Sequence, residues 1–319
     1  MSRVHDALRR AEQGGYPVGE AAAGPDSIPP DARNTLPAID RVYAPPGLTQ
    51  DVLDQVVEVP FQPAPESHLL DLQRAHETPA EEFRTLRTRL NHLQTLQPLH
   101  TVVVTSASPA EGKTFTAVNL ALVQAHLTEN KVLLGDFDLR RPIAHDLFQV
   151  ERAPGLSDFL LGQVPFPQAL RKVAGLNLYI MPAGTPVKNP LELLNCHQAK
   201  ELFDDLPRVF DWAIFDTPPL LFSADANLLA TLADGTILVV KIGATTFDNV
   251  TRAMQSLCEN NVLGIVANGA RASELYSKYT YYYSRNESGL EMCPARFPVV
   301  TSARGPSRRP SAGLSPHRL

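Results

Sequence analysis

A phosphate-binding pattern lies in the middle of the chain, directly after an apolar run. Residues 101–105 (TVVVT) lead into 106–114 (SASPAEGKT), and a segment with helical periodicity follows at once. A strand, a loop and a helix in this order form the context that a P-loop requires. The backbone N–H groups of such a loop and the helix N-terminus surround phosphate oxygens. We therefore predict that Lys113 reaches the β- and γ-phosphates of ATP and that the Thr114 hydroxyl ligates Mg²⁺.

The whole loop is predicted to contact the nucleotide, although Ala107 replaces the first glycine of the P-loop pattern. Asn268 is a candidate adenine contact, because an amide can pair with both donor and acceptor positions of the base. A turn-forming Asn-Gly pair explains that residue almost equally well. The predicted nucleotide contacts are Ser108, Pro109, Ala110, Glu111, Gly112, Lys113, Thr114, Phe115 and Asn268.

Carboxylates end two later apolar runs. Residues 132–134 (VLL) lead into Asp136 and Asp138, and 212–215 (WAIF) lead into Asp216, at the place expected of a Walker B aspartate. Any one of these acids could be a helix N-cap or a turn residue. Because all of them follow apolar runs in the order that a P-loop sheet requires, we favour a catalytic cluster.

These residue types suit phosphoryl transfer, which needs positioning and charge neutralisation more than covalent participation. Lys113 and Mg²⁺ would neutralise the γ-phosphate, and Thr114 and Asp216 would hold the metal, with Asp136 as a further candidate ligand. Asp136 could also accept the proton of an attacking hydroxyl. Asp138 could position the metal or the base.

Strands and helices alternate around these residues, which indicates a mostly parallel sheet flanked by helices. We predict one α/β domain over 67–275, a P-loop NTPase of the deviant-Walker, partition-ATPase-like class. Its carboxyl-end loops would carry the site. The predicted strands are 101–105, 132–134, 177–181, 212–215, 236–240 and 262–267. The predicted helices are 80–97, 115–127, 190–205, 224–232 and 247–259.

The two ends of the chain lack this alternation. Prolines are frequent between Pro17 and Pro65, so we predict a short N-terminal helix over 1–13 and a disordered linker over 14–66. Residues 285–319 are predicted to be a disordered tail. The net charge of −5 argues against a general nucleic-acid binder. With three scattered cysteines and no run of 18 apolar residues, we expect a cytoplasmic protein without a membrane span.

Several motifs resemble the bacterial tyrosine kinases, the cytoplasmic autokinases linked to capsule and exopolysaccharide export. The resemblance covers roughly residues 78–284 and includes TSASPAEGKT (105–114), an apolar run with D-x-D-x-R through Arg140, and D-x-P-P from Asp216. GLSDFL (155–160) and SADA (223–226) add to it. It implies an ATP- and Mg²⁺-dependent autokinase, peripheral to the inner membrane through a chain-length-determinant type membrane protein that activates it.

The resemblance also assigns two sets of residues outside the nucleotide site. Five of the eight tyrosines lie within residues 276–283. An aromatic edge strand is the structural alternative, but a flexible tyrosine-rich tail is what this family phosphorylates on itself. The implied phosphoacceptors are Tyr276, Tyr279, Tyr281, Tyr282 and Tyr283. The pattern Glu81-x-x-Arg84-x-x-Arg87 corresponds to the subunit contact of a ring-shaped oligomer, and an exposed intrahelical ion pair is its simpler explanation.

Two residues depart from the family pattern. Ala110 stands where glycine is usual, which is costly if the loop needs a positive φ there, and Gly135 stands where an aliphatic residue is usual. An ATP-binding oligomeric scaffold with weak or no transfer therefore remains an alternative. A partitioning-type ATPase is the other, although its phosphate loop usually carries an extra early lysine that 106–108 (SAS) lacks.

Overall fold

Eight strands form a single sheet in the computed structural model, which describes residues 48, 50–61, 63, 69–70, 80–127, 129–257 and 262–270. The strand order is β1-β4-β5-β3-β6-β2-β7-β8, and every neighbouring pair is parallel except β4 and β5. The strands are β1 (Glu58–Val59), β2 (Thr101–Ser106), β3 (Val132–Asp136), β4 (Arg171–Val173), β5 (Leu178–Met181), β6 (Trp212–Asp216), β7 (Gly235–Lys241) and β8 (Val262–Asn268).

Helices connect these strands, together with 3₁₀ turns at Gln50–Gln55, Phe166–Ala169 and Leu206–Arg208. The helices are α1 (Ala80–Leu96), α2 (Lys113–Ala125), α3 (Ala144–Phe148), α4 (Leu156–Leu160), α5 (Pro190–Leu194), α6 (His197–Asp205), α7 (Ala224–Leu232) and α8 (Phe247–Ser256). No helix in the described ranges combines the length and the apolar composition that crossing a bilayer requires.

The central strands are apolar on both faces because both faces are covered. In β2, Val103 packs into one hydrophobic cluster, while Val102 and Val104 pack into the cluster on the opposite face. Strands buried on both sides read as continuous apolar runs, which is why they are recognisable in the sequence. Since β3, β6 and β2 are parallel neighbours, the loops at their carboxyl ends meet at one edge of the sheet.

The predicted fold class is confirmed, and each of the six predicted strands is present. The segment predicted as one helix over 190–205 is instead two helices, α5 and α6. The chain leaves helical geometry at Cys196, whose φ of −69° and ψ of 166° are extended. Helix α2 begins two residues earlier than predicted, because the chain turns into it at Gly112.

The prediction of a disordered linker over 14–66 is wrong for its last part. Strand β1 pairs with β4, Glu58 opposite Lys172 and Val59 opposite Val173. The preceding 3₁₀ turn buries Leu53 against the core, so this segment contributes apolar burial despite its flanking prolines. The predicted helix over 1–13, the earlier part of the linker, the tyrosine cluster and the tail over 285–319 lie outside the described residues.

Candidate active site

The phosphate loop between β2 and α2 adopts a tightly curved backbone. Ala110 has a φ of 62° and Gly112 a φ of 97°, both in the left-handed region. Ser108 and Pro109 form the outer part of the loop, and the Ser106 hydroxyl donates to the Ser108 carbonyl over 2.8 Å. Because Gly112 turns the chain directly into α2, the free N–H groups of the helix start face the carboxyl edge of the sheet.

Lys113 and the strand-end carboxylates form a buried cluster beside this loop. Lys113 Nζ lies 2.9 Å from Asp138 Oδ2 and 3.5 Å from Asp216 Oδ1. The Thr114 hydroxyl donates to Asp216 Oδ2, and Lys113 Nζ is 3.3 Å from that hydroxyl. The structure thus brings together the lysine, the hydroxyl and two of the carboxylates that the sequence predicts.

Asp136 is fully buried and anchors the loop that follows β3. Its Oδ2 accepts hydrogen bonds from the backbone N–H of Ile143 at 3.1 Å and of Ala144 at 3.0 Å. Its Oδ1 accepts one from the N–H of Asp138 at 3.2 Å. Asp136 therefore holds the start of α3 in addition to facing the cluster, and one lone pair of Oδ1 is left for a further donor.

Three buried carboxylates share one ammonium, and the pKa values reflect this imbalance. Burial raises the pKa of Asp136 to about 8, assisted by the negative charges of Asp216 and Asp138. Burial also raises the pKa of Asp216 to about 6, although Lys113 and the Thr114 hydroxyl oppose the shift. Burial lowers the pKa of Lys113, but the charges of Asp216 and Asp138 outweigh it, and the net shift is upward.

The donor set fits a magnesium ion. The cluster has an excess of negative charge, and its carboxylate and hydroxyl oxygens are the ligands that Mg²⁺ prefers. Among the described residues, no three carboxylate, imidazole or thiolate groups converge as a complete metal cage. Such a partial set is typical of Mg²⁺ sites, where substrate phosphates and water complete the coordination.

Glu111 is one of the predicted nucleotide contacts, and its side chain fastens the phosphate loop. Its Oε2 accepts from the Ser108 N–H over 2.9 Å, and its Oε1 accepts from the Thr245 hydroxyl over 2.6 Å. Thr245, in the loop after β7, also accepts from the Lys241 N–H over 2.8 Å. This carboxylate is therefore directed into the protein, and the loop after β7 becomes a support of the phosphate loop.

Asn268 supports the phosphate loop from the other side. Its Nδ2 donates to the Glu111 carbonyl over 3.0 Å. A Cβ atom on Gly112 would lie 1.9 Å from that nitrogen, so only glycine fits there. A cleft of about 480 Å³ begins at this point and is lined by Phe115 and Asn268 together with residues of α1. Phe115 and Asn268, two of the predicted nucleotide contacts, thus line one cavity beside the phosphate loop.

The unusual Gly135 has a packing explanation. A Cβ atom there would lie 2.7 Å from a ring carbon of Phe137 and 3.0 Å from one of Phe215. The two rings pack with centroids 4.6 Å apart, directly behind the carboxylate cluster. Aromatic side chains on either side therefore fill the space that an aliphatic residue at position 135 would occupy.

The residues of the predicted oligomer contact make intramolecular bonds. Arg84 pairs with Glu81 one turn earlier on α1. Arg87 Nη1 donates to the Val123 carbonyl near the end of α2 over 2.8 Å. The simpler interpretation as an intrahelical ion pair thus describes the Arg84–Glu81 contact, and the subunit contact stays a prediction.

The sequence argument missed Asp225, which forms a bidentate pair with Arg140. The Nε and Nη2 atoms of Arg140 lie 2.7 and 3.1 Å from the two carboxylate oxygens of Asp225. Both residues belong to motifs that the family resemblance includes, D-x-D-x-R and SADA. Only the fold shows that these motifs meet.

Comparison with known proteins supports the same assignment. The tyrosine-protein kinase YwqD of Bacillus subtilis is 38% identical over 209 residues, which cover 65% of this chain and 87% of YwqD. The crystal structure of the chimerical protein CapA2B2 superposes with a TM-score of 0.60 at 26% identity and covers 69% of this chain and 98% of that one. No protein-family model matches the chain.

The Escherichia coli tyrosine kinase Etk gives a second relative in sequence and structure. Etk is 34% identical over 201 residues, which are 62% of this chain and 28% of Etk, so the chain matches less than a third of that protein. The solved Etk kinase domain has a TM-score of 0.57 at 33% identity, with 62% of this chain and 81% of that chain covered. With the phosphate loop, the carboxylate cluster and these relatives in agreement, the chain belongs to the bacterial tyrosine-protein kinase family.

Proposed function

We propose that the chain transfers the γ-phosphoryl group of ATP to tyrosines of its own segment 276–283 and thereby regulates capsule or exopolysaccharide biosynthesis and export. The observation that carries this proposal is the buried cluster of Lys113, Thr114, Asp138 and Asp216 beside the phosphate loop. Phosphoryl transfer is catalysed by such preorganised charges. A partitioning-type ATPase gives no reason for a tyrosine-rich segment after the last strand.

In the proposed reaction, Lys113 neutralises the oxygens of the transferred phosphoryl group, which develop charge in the transition state. In its ionised form, Asp136 accepts the proton of the tyrosine hydroxyl; burial raises its pKa to about 8 in the absence of bound cations, and a nearby cation would favour the ionised form. Asp138 keeps Lys113 in place through its 2.9 Å ion pair. When bound, Mg²⁺ would neutralise phosphate charge, and Thr114, Asp216 and Asp136 are the residues that would hold it.

The nucleoside would occupy the cleft beside the phosphate loop. Phe115 lies at its edge and packs against Phe83 of α1 with ring centroids 5.9 Å apart. Asn268 borders the same cleft, so its amide can reach the base while its Nδ2 group also supports the loop. We expect that Asn268→Ala weakens ATP binding through both effects.

Substitution of Lys113 tests the assignment. Lys113→Ala removes the cation of the cluster and should abolish phosphotyrosine formation from labelled ATP, because such charge stabilisation is worth about 3–4 kcal/mol of barrier. Lys200→Ala, at an exposed position of α6, is the matched control and should label normally. Undiminished labelling of folded Lys113→Ala would contradict the P-loop mechanism.

Asp136→Asn tests the proposed base. The amide cannot accept the tyrosine proton, so the variant should bind ATP and lose transfer. ATP binding is measured by calorimetry and transfer by phosphotyrosine immunoblot. Near wild-type autophosphorylation by Asp136→Asn would remove Asp136 from the role of base.

The family resemblance extends the proposal to assembly and location. We propose a homo-oligomeric ring held in part by the face of Glu81, Arg84 and Arg87, located in the cytoplasm beside the inner membrane and activated by a chain-length-determinant type membrane protein. Five phosphotyrosines would add up to about −10 charges at pH 7 and expel the tail from acidic sites, which loosens the ring.

Light scattering tests this assembly. The unphosphorylated protein should form an oligomer of larger mass than the phosphorylated protein does. The double variant Arg84→Ala, Arg87→Ala should form a smaller oligomer than the wild type, whether phosphorylated or not. Equal masses before and after phosphorylation would refute the link between modification and assembly, whatever the kinase activity.

A further inference from the structure

Arg140 presents an immobilised guanidinium at the edge of the active site. Both of its hydrogen bonds to Asp225 use the Nε–Nη2 side of the group, at 2.7 and 3.1 Å. Asp225 is 1% exposed, whereas the Arg140 side chain is 49% exposed. Within the described ranges Arg140 makes no other hydrogen bond, so the Nη1 end remains for an acceptor from outside.

The position of Arg140 relates this guanidinium to the reaction. It lies two residues after Asp138, whose carboxylate holds Lys113. The pKa of Arg140 is raised first by its hydrogen bond to Asp225, and the charges of Asp225, Asp138 and Glu192 add to the shift. Arg141 is also exposed, and its N–H donates to Asp138 Oδ1 over 3.0 Å.

Immobilisation makes Arg140 an efficient anion ligand. A surface arginine normally loses about 2 kcal/mol of rotamer entropy when it is fixed. The bond to Asp225 has already fixed Arg140, so a second ligand would bind without most of that cost. A guanidinium fork matches carboxylate and phosphate oxygens equally well. The simpler interpretation is that Asp225 serves only the start of α7, where an acidic residue is favourable, and that Arg140 merely pairs with it.

We propose that Arg140, positioned by Asp225, binds an anionic group that flanks the acceptor tyrosine, either a carboxylate or a phosphotyrosine formed in an earlier turnover. The inference rests on the proposed function, because it defines the substrate of the same site. Three tyrosines are consecutive at 281–283. Phosphorylation of one of them would then favour phosphorylation of its neighbour.

Peptides with a single acceptor tyrosine test this subsite. Three versions carry alanine, glutamate or phosphotyrosine beside the acceptor. Wild-type protein should show a KM about tenfold lower for the two anionic peptides, and Arg140→Gln should lose this preference. Asp225→Asn, which releases the guanidinium without removing its charge, should reduce the preference in part. Arg252→Gln, an exposed arginine of α8, is the matched control and should keep it.

The outcomes separate the two proposals. A preference for glutamate alone or phosphotyrosine alone identifies the source of the anion. If Arg140→Gln lowers kcat/KM equally for all three peptides, the arginine is structural and the subsite is refuted. Binding of labelled peptides in the presence of Mg·ADP is measured in parallel. If the wild type binds the anionic peptides selectively, Arg140→Gln loses this selectivity and neither protein transfers phosphate, the subsite is supported and the kinase proposal is contradicted. If the wild type and Arg140→Gln bind all three peptides equally, the subsite is refuted.

Discussion

Replacement of Ala110 by glycine should stabilise the protein. Ala110 is exposed and has a φ of 62°, where Cβ approaches the following carbonyl oxygen at a cost of about 1–2 kcal/mol. Glycine removes that cost but loses more conformational freedom on folding, about 0.5–1 kcal/mol. The difference is a gain of about 0–1.5 kcal/mol in the free energy of unfolding, and its central value of about 0.75 kcal/mol corresponds to about 1.5–3 °C in Tm for a domain of this size.

Thermal unfolding without nucleotide measures this effect. Ala244→Gly is the matched control, because Ala244 is an exposed loop alanine that is not among the described residues with positive φ. The same exchange there should lower stability by about 0.4–1 kcal/mol through the unfolded chain. The two variants should therefore shift Tm in opposite directions. A Tm of Ala110→Gly at or below that of the wild type would show that the loop carries no strain at this position.

Three further perturbations test the site. The pKa of Asp136 is raised to about 8, so between pH 4 and 8 this carboxyl binds more protons in the folded protein than in the unfolded chain, and the protein should lose stability as the pH rises. Denaturant titrations with a chelator present should show a smaller loss for Asp136→Asn. An equal dependence of the unfolding free energy on pH in both proteins would contradict the raised pKa of Asp136. Gly135→Val directs Cβ at the Phe137 ring and should cost about 1–3 kcal/mol in thermal unfolding, whereas Gly264→Ala, with open space around its Cβ position, should cost less. Thr245→Val should weaken ATP binding in calorimetry, because the lost hydrogen bond to Glu111 contributes about 0.5–1.5 kcal/mol to the stability of the phosphate loop. Thr245→Ser keeps the hydroxyl and should bind ATP like the wild type. Equal ATP affinities of the wild type and Thr245→Val would show that the loop needs no such support.

The central strands could be predicted because their environment repeats along the chain. Residues 101–106 and 212–216 are buried on both faces, and such strands are necessarily apolar without interruption. The strands β1 and β4, the last two at one side of the sheet, have two and three residues, too few for any periodicity. Their formation depends on pairing with each other and, for β4, with β5, and tertiary contacts of this kind leave no local pattern.

The same distinction holds for the site. Lys113 and Asp216 could be assigned together because each follows a recognisable strand, and parallel neighbours bring their ends to one edge. The bond between Glu111 and Thr245 joins residues 134 positions apart, and nothing around a threonine in a loop indicates such a partner. Local motifs therefore predict the charged centre, whereas the side chains that hold it in position become visible only in the folded structure.

The contact between Asn268 and the phosphate loop has a consequence for the order of folding. Its hydrogen bond to the Glu111 carbonyl spans 157 residues, and Asn268 reaches it only after β8 has aligned beside β7 at the edge of the sheet. Closing so long a loop is entropically expensive until the intervening strands are in place. We therefore expect the nucleotide site to be among the last features to form, so that acquisition of ATP affinity would serve as a kinetic marker that the whole sheet has assembled.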